Sequence, residues 1–224
     1  MKTPRWIWLV AILTATLAQA QPTVFTRPGT MIITAVVGEA VAVAGAQEKA
    51  LKVDERLRAE VAYRTGRRST VTVEFGNGSI LKLGSNSEVS VDEFWQQPHS
   101  QAGKTPDWKE EPSASQAKLR LVGGDLNLNV LPLKTERGSS CTLELVAGTV
   151  RISRGTLSVQ VEMTELGLGI CLLHLQDGAA EFEPVGGSAS PLPVGKRLAL
   201  AVEVDSRTGA VKVSEAPKLD AAKK

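Results

Sequence analysis

Between Ser69 and Val91 the chain reads STVTVEFGNGSILKLGSNSEVSV, with apolar and polar residues alternating on either side of an Asn-Gly pair. Alternation of period two marks a strand with one buried face. The letters also select a register. A two-residue Asn77-Gly78 loop would pair Val73 with Lys82 and put a cation among core residues. A three-residue loop, Gly76-Asn77-Gly78, pairs Val73 with Leu81 and Val71 with Leu83, so that Val71, Val73, Phe75, Leu81 and Leu83 share one apolar face. A slip of one residue exchanges the faces, so the second register is predicted. Gly78 then takes the left-handed position of a type I turn with a bulge, and Val89 and Val91 resume the alternation beyond Gly84-Ser85.

The same pattern recurs along the chain. TAVVGEAVAVAG reads as a strand kinked or bulged at Gly38. In KLRLVGGDLNLNVLPL, Leu119 and Leu121, then Leu126, Leu128 and Val130, alternate around a predicted Gly123-Gly124 turn. CTLELVAGTVRISRGTLSVQVEM follows, with Gly148 and Gly155 as breaks. ICLLHLQDGAAEFEP reads as a second hairpin: an Asp177-Gly178 turn would pair Leu175 with Ala180 and Leu173 with Phe182, and set His174 opposite Glu181. A last hairpin places Val202 and Val204 against Val211 and Val213. The segment AQEKALKVDERLRAE is rich in helix formers, but Leu51, Val53 and Leu57 fit an amphipathic helix poorly, so a strand and turn is preferred there.

Short strands and glycine turns throughout give an all-β class. The predicted organisation is an extended leader over residues 21–33 with Pro22 and Pro28, a first β half over 34–95, a loop or linker over 96–117, a second β half over 118–215, and a frayed tail over 216–224. The loop, QQPHSQAGKTPDWKEEPSASQA, breaks the alternation and carries Trp108, either an anchor for a partner or a side chain that docks back on its own domain.

Ahead of the leader, MKTPRWIWLVAILTATLAQA has a basic start, an apolar run and an Ala-Gln-Ala close. This is the pattern of a secretory signal peptide, residues 1–20, cut before Gln21; an uncleaved anchor is the alternative. No later stretch is long and apolar enough to span a bilayer as a helix. The signal changes the charge balance. The chain has 26 Lys and Arg against 24 Asp and Glu, and removal of Lys2 and Arg5 leaves 24 against 24. With no dense basic cluster remaining, nucleic acid is not expected as a partner. Aromatic residues make up only 4% of the chain, so packing must rest on Val, Leu, Ile and Ala.

Export also bears on Cys141 and Cys171, the only two cysteines. An oxidising compartment permits a disulfide closing a loop of about 30 residues, worth roughly 3 kcal/mol. The disulfide is predicted, and two buried thiols are the alternative.

Convergent chemistry is sparse. His99 falls in the loop, and His174 reads as half of a cross-strand ion pair with Glu181. No Gly-x-Ser-x-Gly elbow occurs, Gly195-Lys196-Arg197 lacks the remainder of a phosphate loop, and no His/Cys set has zinc spacing. No metal or cofactor is predicted. A pair of carboxylates brought together by the fold stays open. Asn77-Gly78-Ser79 is a glycosylation sequon, although a β-turn explains the same residues.

The order of motifs resembles the FecR domain family. RTGRRSTVTVEFGNGSILKLGSNSEVSV carries a Thr-Gly, a strand, a Gly-Ser turn around Asn77, Gly78 and Ser79, and a second strand. KLRLVGGDLNLNV is similar to the family's apolar-Gly-x-Leu strands, VRISRGTLSVQV to its Arg-Gly-Thr strand at Arg154, Gly155 and Thr156, and LHLQDGAAEFEPVGGSASPLPVGKRLAL to its closing hairpin at Asp177 and Gly178, with Gly195 before the last strand. The resemblance covers roughly Thr34 to Val204. It implies a solenoid-like or two-sheet β domain that receives a signal from an outer-membrane transporter. In the family a cytoplasmic anti-sigma segment and a membrane helix precede that domain; here a cleavable signal occupies their place.

Together these features lead us to expect a non-enzymatic exported β-module, periplasmic or secreted, that binds a protein of the bacterial envelope in signalling or scaffolding. The alternative is a cell-wall polysaccharide or glycan binder. Its aromatic platform, and equally the contacts of a protein partner, would come from Phe94, Trp95 and Trp108.

Overall fold

The computed structural model describes Phe25, residues 27–99 and residues 108–216. The predicted signal, the start of the leader, the middle of the loop and the end of the tail lie outside the described residues. In chain order the strands are β1 (Met31–Val37), β2 (Ala40–Ala44), β3 (Gln47–Ala50), β4 (Arg56–Leu57), β5 (Val61–Thr65), β6 (Thr70–Phe75), β7 (Ile80–Leu83) and β8 (Glu88–Gln96). After the loop come β9 (Ser115–Val130), β10 (Ser140–Leu145), β11 (Gly148–Met163), β12 (Leu168–Pro184), β13 (Ser190–Pro191), β14 (Arg197–Val204) and β15 (Val211–Glu215). One 3-10 turn, Thr135–Arg137, completes the described elements. The all-β expectation holds, and the segment of helix formers is indeed strand and turn, as β3 and β4.

Hydrogen bonding runs unbroken through all fifteen strands, yet the molecule is built in two layers. One layer runs β3-β2-β5-β8, then the first half of β9, β10, the first half of β11, the second half of β12, and β13. The other runs β4-β1-β6-β7, then the second halves of β9 and β11, the first half of β12, β14 and β15. Only β9 and β10 pair in parallel. Each layer turns one face inward. Phe75 of β6 and Phe94 of β8, which are not strand neighbours, meet edge-to-face across the layers with ring centres 5.0 Å apart. Such crossed aromatic pairs are favourable beyond their buried area.

The three long strands belong to both layers, and the burial pattern records how. In β9 the inward residues are Ala117, Leu119 and Leu121, then Leu126, Leu128 and Val130. In β11 they pass from Val150 and Ile152 to Leu157, Val159 and Val161. In β12 they pass from Cys171, Leu173 and Leu175 to Ala180 and Phe182. Each strand switches from odd to even positions, or the reverse, at a glycine. A strand that bends around the core must change parity there to keep its apolar side chains inside.

This overturns two predicted turns. Gly123-Gly124 and Asp177-Gly178 do not reverse the chain; they are bends within continuous strands. Leu175 pairs with Leu157, and Ala180 with Ile152, rather than with each other. His174 accordingly faces Ser158 and Arg197, while Glu181 pairs with Arg151, so the predicted His174–Glu181 pair does not exist. The hairpin over 69–91 has the predicted register, Val71 with Leu83 and Val73 with Leu81, and Gly78 has the predicted positive φ. The last hairpin also pairs as expected, Val202 with Val213 and Val204 with Val211.

Two boundaries move. The leader's last residues are already in the fold: β1 starts at Met31, and Pro28 bridges to Trp95. The loop is shorter than the composition suggests. Glu111, Ser113 and Ala114 are buried and β9 begins at Ser115, because hydrogen bonding to buried partners, rather than hydrophobicity, holds this stretch.

Candidate functional site

The family-like residues gather at one end of the two layers, where they build corners. Asn77 is buried; its Oδ1 accepts the Ser79 N–H at 3.0 Å and its Nδ2 donates to Ser115 Oγ at 2.9 Å. The Asn side chain thereby mimics a turn of backbone and ties the β6–β7 loop to the start of β9. With Asn77 and Ser79 both buried, the sequon is closed to a glycan. At the matching bends of β11 and β12, Gly155 pairs with Gly178, and the Thr156 N–H donates to Asp177 Oδ1 at 2.9 Å. Arg154 carries no ion pair among the described residues. Gly195 turns the chain into β14, its N–H donating to the Leu175 carbonyl at 2.8 Å. These residues shape the backbone at the corners.

Beside that corner lies a polar cluster that sequence reasoning assigned to a solvent-exposed loop. Glu111 is fully buried, and its two oxygens accept from Ser115 Oγ and from the Lys134 N–H, each at 2.6 Å. Ser139 Oγ accepts the Ser115 N–H at 3.1 Å, and Gln96 Nε2 donates to the Gly76 carbonyl at 2.9 Å. A buried carboxylate persists only when such donors replace its water. The cluster joins the loop, both layers and the β6–β7 turn, and every donor named is used internally. The one signal that could have found it was Ser113-Ala114-Ser115, small residues that continue the alternation of β9 backwards.

The aromatic candidates do not assemble. Phe94 is in the core against Phe75, Trp95 lies half-buried on the outer side of the first layer beside Pro28, and Trp108 packs over Gly78 and edge-on to His99. A flat platform for a sugar ring is therefore absent from these three residues, and Trp108 docks back on its own chain.

Cys141 and Cys171 are free thiols, both buried. Cys141 sits on β10 in the first layer, beside Ala117, whereas Cys171 sits in the first half of β12, in the second layer, where it pairs with Val161. Neither thiol is bonded to the other, so the predicted bridge is not formed in the structure. Burial pushes both thiols up to about 12, Cys141 with a smaller push from Glu111. They pack as small hydrophobes, without the thiolate that reactivity needs.

The outer faces differ sharply. On the first layer several charges pair: Glu144 faces Lys118 at 2.9 Å and Arg120 at 3.2 Å, Arg120 also holds Asp92 at 2.7 Å, and Arg151 holds Glu183 at 2.7 Å. The hydrogen bond from Lys118, with help from Arg120, keeps the Glu144 carboxyl below its usual range. On the second layer the outward side chains mix amides, hydroxyls, cations, the acids Glu74, Asp125, Glu162 and Glu203, and the apolar Ile80 and Leu172, and the β11–β12 hairpin carries exposed Met163, Leu166, Leu168 and Ile170.

No family model matches the sequence, and no curated protein matches it significantly. Among solved structures, two crystal structures of a candidate anti-sigma factor from Parabacteroides distasonis are similar in chain course. One is 12% identical with a TM-score of 0.44, the other 11% identical with a TM-score of 0.43. Each comparison covers 69% of this chain and 59% of the other, so this chain matches about three fifths of that protein's length.

Proposed function

We propose that this chain is an exported, FecR-like β-module that acts by binding another protein of the cell envelope, in signalling or scaffolding, and not by catalysis. One observation carries the reading. Of the ten large hydrophobic residues exposed among the described residues, four, Met163, Leu166, Leu168 and Ile170, fall in eight residues of the β11–β12 hairpin. Leu166 at its tip is 81% exposed. Scattered exposed hydrophobics are ordinary, whereas a contiguous set with a polar rim marks a contact surface. Leu168 and Ile170 share the outer face, with Leu166 at the tip, while Met163, paired with Gly169, lies on the other face; Glu162, which pairs with Ile170, Glu203, which pairs with Leu168, and Lys212 give the shared face its polar rim.

Two strand spacings from this patch, about 10 Å, β15 ends the layer with an edge that no described strand pairs. An extended segment of a partner can add to such an edge through backbone hydrogen bonds while its neighbouring side chains cover the patch. The FecR-like order of motifs supports a partner in the envelope, and the Ala18-Gln19-Ala20 pattern supports export; the mature chain then begins at Gln21, which N-terminal sequencing checks. A non-catalytic role is supported by thiols held protonated, by Asp92, Glu144 and Glu183 engaged in ion pairs, and by the lack of an acid in register beside His174.

A photo-crosslinking residue at Leu166, in cells making the full chain, tests the reading. One envelope protein should be captured reproducibly, and capture should be lost in Leu168→Lys/Ile170→Lys but kept in Val53→Lys, a control at another exposed valine. Capture of a second copy alone, or capture indifferent to the double substitution, would overturn it.

A further inference from the structure

The register of the second layer aligns one outward residue from each of five neighbouring strands: Lys82 of β7, Asn127 of β9, Ser158 of β11, His174 of β12 and Arg197 of β14. This row crosses four strand spacings, about 19 Å. It runs through an open cavity of about 730 Å3, bordered on either side by Gln160 and Gln176 and containing Leu172. We infer that this groove is a binding site for an acidic oligosaccharide, a chain of sugar rings bearing carboxylates, lying across the strands.

The middle of the row suits hydroxyl groups. Ser158 Oγ accepts from Asn127 Nδ2 and from Gln176 Nε2, both at 2.9 Å, which leaves its own proton to donate outward. The carbonyl oxygens of the two amides have no partner among the described residues and can accept. Fixed donors and acceptors beside one apolar surface, here Leu172, are what a polyol site requires.

The ends of the row suit carboxylates. On the opposite face of the molecule Lys118, Arg120 and Arg151 all have carboxylate partners. In the groove, no carboxylate among the described residues comes within ion-pair distance of Lys82, His174 or Arg197. Asp125 is the one acid lining the cavity, and Glu162 next to it is engaged by Gln160 Nε2 at 2.7 Å. Lys82 and Arg197 are therefore left for an anion, and a guanidinium can hold a carboxylate through two parallel hydrogen bonds. An acidic peptide fits less well. β9, β11 and β12 are interior strands whose backbone groups are used by their neighbours, so a peptide's amides would find no ladder to join.

Calorimetric titration of the full chain, with tetragalacturonate, neutral cellotetraose and tetraglutamate as probes, tests the assignment. Tetragalacturonate should bind, more weakly as salt is raised, and Lys82→Ala/Arg197→Ala should weaken it at least tenfold. Asn127→Ala/Ser158→Ala should weaken it several-fold, with the circular dichroism of both variants unchanged. Absence of binding at millimolar tetragalacturonate, equal binding of the neutral sugar, equal binding of tetraglutamate, or indifference to the cation pair would each overturn it. The hairpin substitutions Leu168→Lys/Ile170→Lys lie outside the row, so this result stands or falls apart from the protein-partner reading.

Discussion

Gly155 and Gly178 face each other across β11 and β12, at the point where both strands pass from one layer to the other. A Cβ on Gly155 would stand 2.6 Å from the Gly178 Cα, and a Cβ on Gly178 would stand 2.5 Å from the Gly155 Cα. Their φ angles, 102° and 95°, are also ones that side chains rarely adopt. The obstacle in each case is backbone, which has no rotamer to move away.

Gly155→Ala and Gly178→Ala should therefore each cost about 2–4 kcal/mol, read from the urea midpoint. Gly186 has a similarly positive φ but open space around it. Gly186→Ala should cost only the backbone strain, about 1–2 kcal/mol. Equal losses at all three positions would mean that the close approach is not what selects glycine.

Cys141 and Cys171 should show no mass change on reduction of the native protein, resist alkylation when folded, and take two adducts when unfolded. Their folded values, raised by burial to about 12 from an ordinary 9.0, also set a pH dependence. The folded protein holds these protons more tightly than the unfolded chain. Their contribution is thus whole below about pH 9 and is lost as pH rises toward 12. The fall in stability over that window should be shallower in Cys141→Ala/Cys171→Ala, despite the small cavities that the substitution leaves.

At the polar corner, Glu111→Gln keeps the shape but turns an amide donor toward either the Lys134 N–H or the Ser115 hydroxyl, both of which now donate to the carboxylate. A loss of about 1–3 kcal/mol is expected, and Asn77→Ala should cost a similar amount by stranding buried partners. Hydrogen exchange should rise around the β6–β7 turn and the start of β9, with the β14–β15 hairpin unchanged.

Phe75→Leu and Phe94→Leu should couple in a double-mutant cycle by about 0.5–1.5 kcal/mol, because the rings touch only across the layers. A coupling of zero would remove that contact as a tie between them.

The hairpin over 69–91 was legible because one register alone kept Lys82 off the core face. The bends were not, because a change of parity at a glycine has two readings. Leu175 and Ala180 would face each other in a two-residue hairpin, and they also stay inside when one strand bends around the core. Local letters cannot separate the two; the distant partners Leu157 and Ile152 decide. The same locality explains the polar corner. Glu111 looks solvated among Pro, Ser and Lys, and its burial comes from Lys134 and Ser115, the first of them 23 residues away. The outer groove is invisible for another reason: its five residues share a row only once four separate strand pairings are fixed.

Because β9, β11 and β12 each run through both layers, three shared backbones tie the layers together among the described residues. A ligand on the proposed hairpin or groove would meet layers that cannot part without breaking those strands. If the proposed binding role holds, a message would travel by what the ligand displaces from the surface rather than by one layer swinging from the other.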